Sequence, residues 1–442
     1  MTAGGIEPNL RAGPRCGPRF TGLAIRSADT FRETPIQATT LPLSGIRVID
    51  LTRILSGPFC TMILGDMGAD VIKVDGPDEG DPIRRIGAGH NDLSWYFASY
   101  NRNKRSMTLD LKTAAGRQTL ARLLKGADVL VENYRPGVLD AMGFDQTRLD
   151  AINPRLVVAS INGYGATGPY ADRPAFDFVI QAMSGFMTVN GHAESGPVRC
   201  APPITDLVAG LYGAFGVVSA LRARDLTGSG QRVEAAMMST MISLFSFLAS
   251  DYLATGRLPV KTGNDHPIAS PYGLFSASDG DIAVAPSTEA ILTRLLTILG
   301  IEEILKLPKF RTNDARIVNR KELNQQINER LRSDTQANWI TRLNAAGVPC
   351  GKVQDIGEAL SDPQMVHQEM VIDVEHPGHG AVRMLGFPVK LSKTPCVVRH
   401  PAPEHGEHTA EIMAELDRDA PEGESPGLTE DHAAPGGGPR ST

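Results

Sequence analysis

Short apolar runs alternate with segments of helical periodicity through the first half of the chain. The run 46–51 is almost continuous in β-branched and other apolar residues, as is typical of a parallel strand covered on both faces. The tripeptide 56–58, Ser-Gly-Pro, predicts a helix start, and Gly68 predicts its end. A second apolar run at 71–74 predicts the next strand. The chain therefore opens with a strand, a helix and a strand.

The same alternation continues and predicts an α/β protein. Further strands are predicted at 106–111, 129–131, 156–161 and 232–235, and helices at 114–125, 207–224 and 238–252. Strands and helices in turn are typical of a mostly parallel, doubly wound sheet. From Tyr272 the elements become shorter, with a strand pair around Gly280 and helices at 288–299, 320–331 and 336–345. This change indicates a second, smaller α+β domain.

Composition restricts the function classes. A chain of 442 residues that is 41% hydrophobic and 21% charged is an ordinary globular protein of two or three domains. Its net charge of −6 argues against nucleic acid or an anionic membrane as the main partner. The most apolar segment, 207–221, is interrupted by three glycines, so it fits a buried helix better than a membrane span. These glycines, Gly210, Gly213 and Gly216, lie on one face of the predicted helix, which would let another backbone come close. The five Cys and ten His have neither disulfide-framework nor metal-ligand spacing, so no metal site is predicted.

The first turn, 52–57, excludes one large class of ligand. It lacks the glycines that let a backbone approach the pyrophosphate of a dinucleotide. The sequence also lacks a Walker loop and a Gly-x-Ser-x-Gly elbow, which removes the simplest NTPase and serine hydrolase hypotheses.

One acidic residue is placed to do chemistry. Asp206 directly precedes the long apolar helix, where the helix dipole would keep a carboxylate ionised at neutral pH. Such an environment suits a nucleophile, but the residues alone favour a simple N-cap. The glycine-rich turns 162–169 and 189–191 could bind an oxyanion or be plain loops. The cations of 102–105, with Lys112 and Arg135, could neutralise phosphates or be solvated surface charges.

Several segments carry a family resemblance. They are GIRVIDLTRILSGPFCTMILGDMGADVIKVD, NRNKRSMTLDLK, DVLVENYRPGVLDAMGFD, SINGYGATGPYADRPAFD, ITDLVAG, GSGQRVEAAM, GVPCGKVQDI and GEHTAEI. In this order, over roughly 41–417, they resemble the class III CoA-transferase family, and most of all its succinate–hydroxymethylglutarate type, which acts on dicarboxylates.

The resemblance implies an architecture. The family has a Rossmann-like large domain built from both ends of the chain, a small domain between them, and two interlocked subunits. Applied to this sequence, it implies a large domain at 41–225 and 346–417, connecting helices at 226–271 and a small domain at 272–345. Residues 1–40, rich in Arg and without Lys, are an extension or a targeting segment, and 418–442 are a disordered tail. The predicted location is cytoplasmic, with the mitochondrial matrix as the alternative if 1–40 are a transit peptide.

The resemblance also implies a reaction. CoA is moved between carboxylic acids through anhydrides and a thioester on one aspartate, which matches Asp206 and reverses the preference for a cap. A CoA thioester is then a substrate, and no permanently bound cofactor is expected. Contacts with CoA are implied at Leu55, Ser56, Leu109, Lys112, Asn133 and Tyr134, to which Arg135 is added as a phosphate partner. Candidates for binding the acceptor acid are Arg53, Arg173, Arg199 and His266.

Two other hypotheses for the function remain open, and one acceptor acid is not expected. An α-methylacyl-CoA racemase of this family would need a histidine before the acid that matches Asp177, and Phe176 stands there. A CoA-binding homologue without turnover is the other rival. Formyl-CoA transferases have arginines at positions matching Gly76 and Ala141 and a glutamine at Leu55, so oxalate is not the expected acceptor.

Overall fold

The computed structural model describes residues 41–78, 80–87, 89–90 and 93–418. The predicted N-terminal segment 1–40 and residues 419–442 of the predicted tail lie outside this part. The strands are β1 Arg47–Asp50, β2 Asp70–Asp75, β3 Gly89–His90, β4 Leu93–Ser94, β5 Lys104–Thr108, β6 Val129–Glu132, β7 Val157–Asn162, β8 Arg232–Ala236, β9 Gly273–Ser276, β10 Asp281–Val284, β11 Cys350–Lys352, β12 Val371–His376 and β13 Gly380–Leu385.

Helices surround and connect these strands. They are α1 Ser56–Asp66, α2 Trp95–Asn101, α3 Ala114–Lys125, α4 Val138–Ala141, α5 Gln146–Ile152, α6 Asp177–Met183, α7 Phe186–Val189, α8 Ile204–Thr227, α9 Met237–Ser243, α10 Phe247–Thr255, α11 Glu289–Ile298, α12 Pro308–Arg311, α13 Asn313–Val318, α14 Arg320–Leu331, α15 Gln336–Ala345, α16 Ile356–Ser361, α17 Pro363–His367 and α18 Thr409–Arg418. Short 3₁₀ helices lie at Pro82–Arg85 and Glu302–Lys306.

A six-stranded sheet in the order β5-β2-β1-β6-β7-β8 confirms the predicted α/β fold with a mostly parallel sheet, and all five strand pairs in it are parallel. Alternate residues of each strand face opposite sides. Val48 packs in one apolar core with α1 and α8, whereas Ile49 packs in a second core with α3 and α18. Both faces of the sheet are therefore covered, which explains the nearly continuous apolar run at 46–51.

A third apolar core lies between residues 273 and 352. Its buried side chains include Phe275 of β9, Leu295 of α11, Leu323 of α14 and Trp339 of α15. These elements surround the antiparallel sheet β11-β10-β9. The C-terminal helix α18 packs Ile412 and Leu416 into the core that covers one face of the large sheet. The domain bounds given above stay predictions.

Two predicted helices differ from the structure. The segment predicted as one helix at 238–252 forms α9 and α10, which meet at an angle of 84°. Ser246, immediately before α10, has φ of +50°, a left-handed conformation that no Gly or Pro marks in the sequence. Helix α8 begins at Ile204, three residues before the predicted Leu207, because Pro203 takes the N-cap position. This earlier start moves Asp206 into the first turn of the helix.

Candidate active site

A cavity of about 280 Å³ opens at the carboxyl edge of the large sheet. The loops after β1, β6 and β7 meet there, since the carboxyl ends of parallel strands share one edge. Predicted site residues that line it are Arg53, Leu55, Ser56, Asn133, Tyr134, Arg135, Arg173 and Asp206. Segments that are far apart in sequence thus form one site.

Close packing between α1 and α8 brings Asp206 next to the turn 52–57 that follows β1. A Cβ atom at Gly210 would lie 2.5 Å from the backbone oxygen of Ser56, so only glycine permits this approach. The close backbone contact predicted for the glycine face of α8 is confirmed at this position. Because Asp206 lies one turn before Gly210, its carboxylate lies close enough to Ser56 for the serine hydroxyl, as a hydrogen-bond donor, to favour the ionised form.

Asp206 is not the N-cap of α8, so the capping interpretation is wrong. Pro203 is the cap, and Asp206 is the third residue of the helix. The Thr205 backbone N–H instead donates to the carboxylate of Asp177, at 2.9 Å, and the Thr205 hydroxyl donates to the same oxygen at 2.9 Å. The carboxylate of Asp177 in α6 therefore accepts the hydrogen bond of a free N–H group at the start of α8. The Asp206 side chain is not needed for this role and lines the cavity.

The expectation that Asp206 is fully ionised at neutral pH is also wrong. Burial and, to a smaller extent, the negative charge of Asp177 raise the pKa of Asp206 from 3.8 to about 7, although a hydrogen bond from Ser56 lowers it. A carboxylate that is poorly solvated but still ionises near neutrality is a stronger nucleophile than an exposed one. The structure thus gives Asp206 the environment of a reactive group.

The cavity mouth carries three exposed arginines, Arg53, Arg135 and Arg173. Asn133 fixes the backbone of Arg53 from both sides, accepting from its N–H at 2.9 Å and donating to its carbonyl oxygen at 2.8 Å. The Arg173 guanidinium stacks on Tyr170 at 3.7 Å from the ring centroid. Cations at the entrance favour anionic ligands such as phosphates and carboxylates.

Tyr96 and Tyr100, both on α2, do not line the cavity but are neighbours of Asp206 that sequence reasoning missed. Burial and, to a smaller extent, the nearby charge of Asp206 raise the pKa of Tyr96 to about 12. The pKa of Tyr100 is raised for the same two reasons. Both phenols are therefore neutral and lie within the electrostatic field of the carboxylate. Their spacing of four residues on one helical face was the available signal.

Four predicted site residues lie outside this cavity. Leu109 and Lys112 follow β5 at the same sheet edge, but β2 separates β5 from the first turn. Arg199 is exposed and donates to the Ala201 carbonyl oxygen at 3.2 Å. His266 stacks against Phe247, with ring centroids 5.6 Å apart, and lines a different cavity of about 420 Å³. Their assignment as ligand contacts stays a prediction.

The cations of 102–105 are neither phosphate partners nor solvated surface charges, so both interpretations are wrong. Arg102 pairs with Asp66 at 2.8 Å and Lys104 with Asp50 at 3.0 Å, and all four side chains are buried. Arg105 pairs with Asp70, at 2.8 Å, and with two glutamates of α18. These charges hold the sheet and its helices together.

The remaining residues that line the cavity bear on the racemase hypothesis. Phe176 presents an apolar ring where a racemase would carry its histidine. In the part of the chain that the structure describes, Asp206 is the one acidic residue of this lining, and no histidine lines it. The backbone N–H groups of Gly165 and Ala166 already donate to Asn162 and Glu234, so they are not free oxyanion donors.

A family model described as CoA-transferase family III matches residues 43–409. A succinate–glutarate CoA-transferase from Agrobacterium fabrum is 36% identical over 85% of this chain and 96% of its own. An acetyl-CoA:oxalate CoA-transferase from Acetobacter aceti is 38% identical over 79% of this chain and 89% of its own.

The fold is likewise shared with a solved structure. The crystal structure of a CAIB/BAIF family protein from Brucella suis superposes with a TM-score of 0.76 and 38% sequence identity. The match covers 86% of this chain and 100% of the other.

Proposed function

Because this chain belongs to CoA-transferase family III, and is therefore an enzyme that uses acyl-CoA thioesters and carboxylic acids, we propose that it moves CoA from succinyl-CoA to a small dicarboxylic acid with Asp206 as nucleophile. The observation that carries the proposal is one cavity that joins Asp206 to the first turn, where the family resemblance implies CoA contacts. The names of relatives support the donor and the acceptor class.

The proposed reaction conserves the free energy of the thioester. The Asp206 carboxylate attacks the carbonyl carbon of succinyl-CoA, which expels CoA thiolate and forms a mixed anhydride. The thiolate then attacks the aspartyl carbonyl, which releases succinate and leaves CoA as a thioester on Asp206. The acceptor carboxylate attacks this thioester and again expels the thiolate, so that a second anhydride forms. Attack of the thiolate on the acceptor carbonyl gives the new acyl-CoA and restores the Asp206 carboxylate.

Burial of Asp206 supports this role. Hydrolysis by water would destroy both anhydrides and the thioester, so a partly dry cavity protects them. Neutral phenols at Tyr96 and Tyr100 lie in the field of the carboxylate. As hydrogen-bond donors they are suited to the negative charge that develops when a carbonyl becomes tetrahedral.

Arg53 and Arg173 are proposed as the cations for the far carboxylate of a dicarboxylic acceptor. Both line the cavity, whereas Arg199 does not. Both arginines are exposed at the cavity mouth, so both guanidinium groups are available to an anionic ligand. A carboxylate between them would gain charge-assisted hydrogen bonds.

A donor-by-acceptor screen tests the function. The wild-type enzyme is incubated with succinyl-CoA or acetyl-CoA and with glutarate, oxalate or a monocarboxylic acid, and new CoA thioesters are separated by chromatography. We expect the fastest transfer from succinyl-CoA to the longer dicarboxylate, glutarate. Preference for a monocarboxylic acid would refute the dicarboxylate assignment. Exchange of an α-proton with deuterated water, without transfer, would favour the isomerase.

We infer that a second copy of the chain covers the exposed side of α8, in the interlocked homodimer that the sequence resemblance implies. Phe215 of α8 is 69% exposed and Leu253 of α10 is 82% exposed, and Leu211, Tyr212 and Leu258 are exposed too. Exposed apolar patches of this kind mark contact surfaces. By length and composition α8 could also cross a membrane, but its glycine face is packed against α1 and the sheet.

Sedimentation in solution tests this surface. We expect the mass of two chains for the wild type and a shift toward one chain for Phe215→Glu, because a carboxylate there would be buried in the interface. The matched control is Asp225→Glu on the same helix, which keeps its charge and should stay dimeric. A wild-type mass of one chain at micromolar concentration would refute the dimer.

A further inference from the structure

Side chains of β1, of β2 and of the loop after β6 hold the backbone of the first turn, residues 52–57. The Thr52 N–H donates to Asp50 at 2.9 Å, and the Thr52 carbonyl oxygen accepts from the Lys73 ammonium at 2.7 Å. The next residue, Arg53, is held through both backbone groups by Asn133, as described above. The turn that lines the cavity is therefore fixed from outside, as a pre-organised site requires.

Ile54 is the strained residue of this turn. Its φ is +69°, in the left-handed region that β-branched residues avoid. Such a conformation persists only where surrounding contacts impose it. The Ile54 N–H donates to both carboxylate oxygens of Asp81, at 3.1 and 3.2 Å. Asp81 is thus the contact that opposes relaxation of Ile54.

Asp81 is itself rigidly placed. It is fully buried, accepts from the Ile83 N–H at 3.2 Å, and pairs with the fully buried ammonium of Lys73 at 3.0 Å. Lys73 connects Asp81 with the Thr52 carbonyl, so one ion pair fixes two points of the same turn. Buried ion pairs contribute little net stability compared with apolar packing, but they define geometry.

We propose that Asp81 is a positioning residue for CoA transfer: it holds Ile54 in its left-handed conformation and so places Leu55 and Ser56 against CoA and Asp206. The inference rests on the proposed function of Asp206 and goes beyond it. Asp81 is not itself a lining residue of the cavity, and it contacts the lining through the backbone N–H of Ile54. If Ile54 relaxed to a negative φ, the following peptide would rotate and the Ser56 hydroxyl would leave the Asp206 carboxylate.

Asp81→Asn tests the proposal. Both carboxylate oxygens of Asp81 accept hydrogen bonds, but an amide has only one acceptor oxygen. The ammonium of Lys73 should take that oxygen, which leaves the Ile54 N–H facing an NH₂ group. We expect kcat per folded enzyme to fall roughly tenfold to a hundredfold, since small displacements at a reacting centre have effects of this size.

The matched control is Asp66→Asn. Asp66 lies at the opposite end of α1, is buried, and accepts from Arg102 and Asn103. D66N should lower thermal stability about as much as D81N, because both changes weaken a buried ion pair, yet leave kcat and the pH profile of kcat/KM unchanged. A D66N variant that loses as much kcat as D81N would attribute the effect to destabilisation and overturn the proposal.

The link to Ser56 is tested by a double variant. D81N and Ser56→Ala should each move the acidic limb of kcat/KM to higher pH, and D81N/S56A should move it no further than S56A does. The proposal would be overturned if the two pH shifts were additive in the double variant. It would also be overturned if the pH profile of kcat/KM for D81N coincided with that of the wild type. If D81N folds poorly, D81N/I54G replaces it. Glycine adopts φ near +69° without strain, so this variant should recover part of the lost kcat.

CoA affinity separates this inference from the proposed function. Calorimetric titration with CoA in the Asp206→Asn background needs no turnover, and adding D81N should weaken binding about tenfold because the misplaced turn loses contacts. Unchanged affinity would overturn the positioning role. Retained transfer by Asp206→Asn itself would refute the proposed nucleophile, whatever the affinity of the D81N variant.

Discussion

Asp206→Asn is expected to lower kcat for CoA transfer at least about 10³-fold, because an amide can form neither the anhydride nor the thioester. Incubation of the wild type with succinyl-CoA alone should give a protein species whose mass is increased by covalently bound CoA. This species should be absent from D206N. Mass spectrometry of the intact protein, with initial rates from chromatography, measures both effects.

Two controls make the D206N result specific. Asp172→Asn changes an exposed acid in the segment that lines the cavity, and it should leave kcat unchanged. D206N should also be folded. Since the pKa of Asp206 is raised from 3.8 to about 7, its ionised form destabilises the folded state as pH rises through this window. Removal of that charge should leave D206N at least as stable as the wild type at pH 8. Transfer at the wild-type rate by D206N would refute the nucleophile.

The rate should depend steeply on pH below neutrality. The nucleophile is the ionised carboxylate, and the pKa of Asp206 is raised to about 7 by burial and by the charge of Asp177. We therefore expect kcat/KM to fall about tenfold for each unit of pH below this value. At two units below, the loss is roughly a hundredfold. An exposed carboxylate would instead keep kcat/KM constant down to about pH 5.

The variant Ser56→Ala tests the direction in which Ser56 shifts the pKa of Asp206. The Ser56 hydroxyl donates a hydrogen bond that favours the ionised form of Asp206, so its removal should raise the pKa and move the acidic limb of kcat/KM to higher pH. Thr240→Ser is a suitable control, since Thr240 is a buried hydroxyl that donates to its own helix. A limb that stays in place or moves to lower pH in S56A would contradict the hydrogen bond.

Local patterns predicted the elements that position the site. The apolar run at 46–51 and the Ser-Gly-Pro start after it gave β1 and α1, because strand and helix periodicities differ strongly in such segments. The glycine face of α8 predicted the close approach that the structure shows at Gly210 and Ser56. The break between α9 and α10 was not predictable, since no Gly or Pro marks the positive φ of Ser246.

The sequence by itself determined the fold class and the first turn without a dinucleotide fingerprint, and its family resemblance indicated Asp206 as the candidate nucleophile. Only the tertiary structure decided which charged side chains contact each other. It pairs Lys104 with Asp50, surrounds Asp206 with Asp177, Ser56 and two tyrosines, and fixes the turn at Ile54 through Asp81. The physical reason is that ionisation and strain depend on burial and on partners far away in sequence, whereas strands and helices depend on near neighbours.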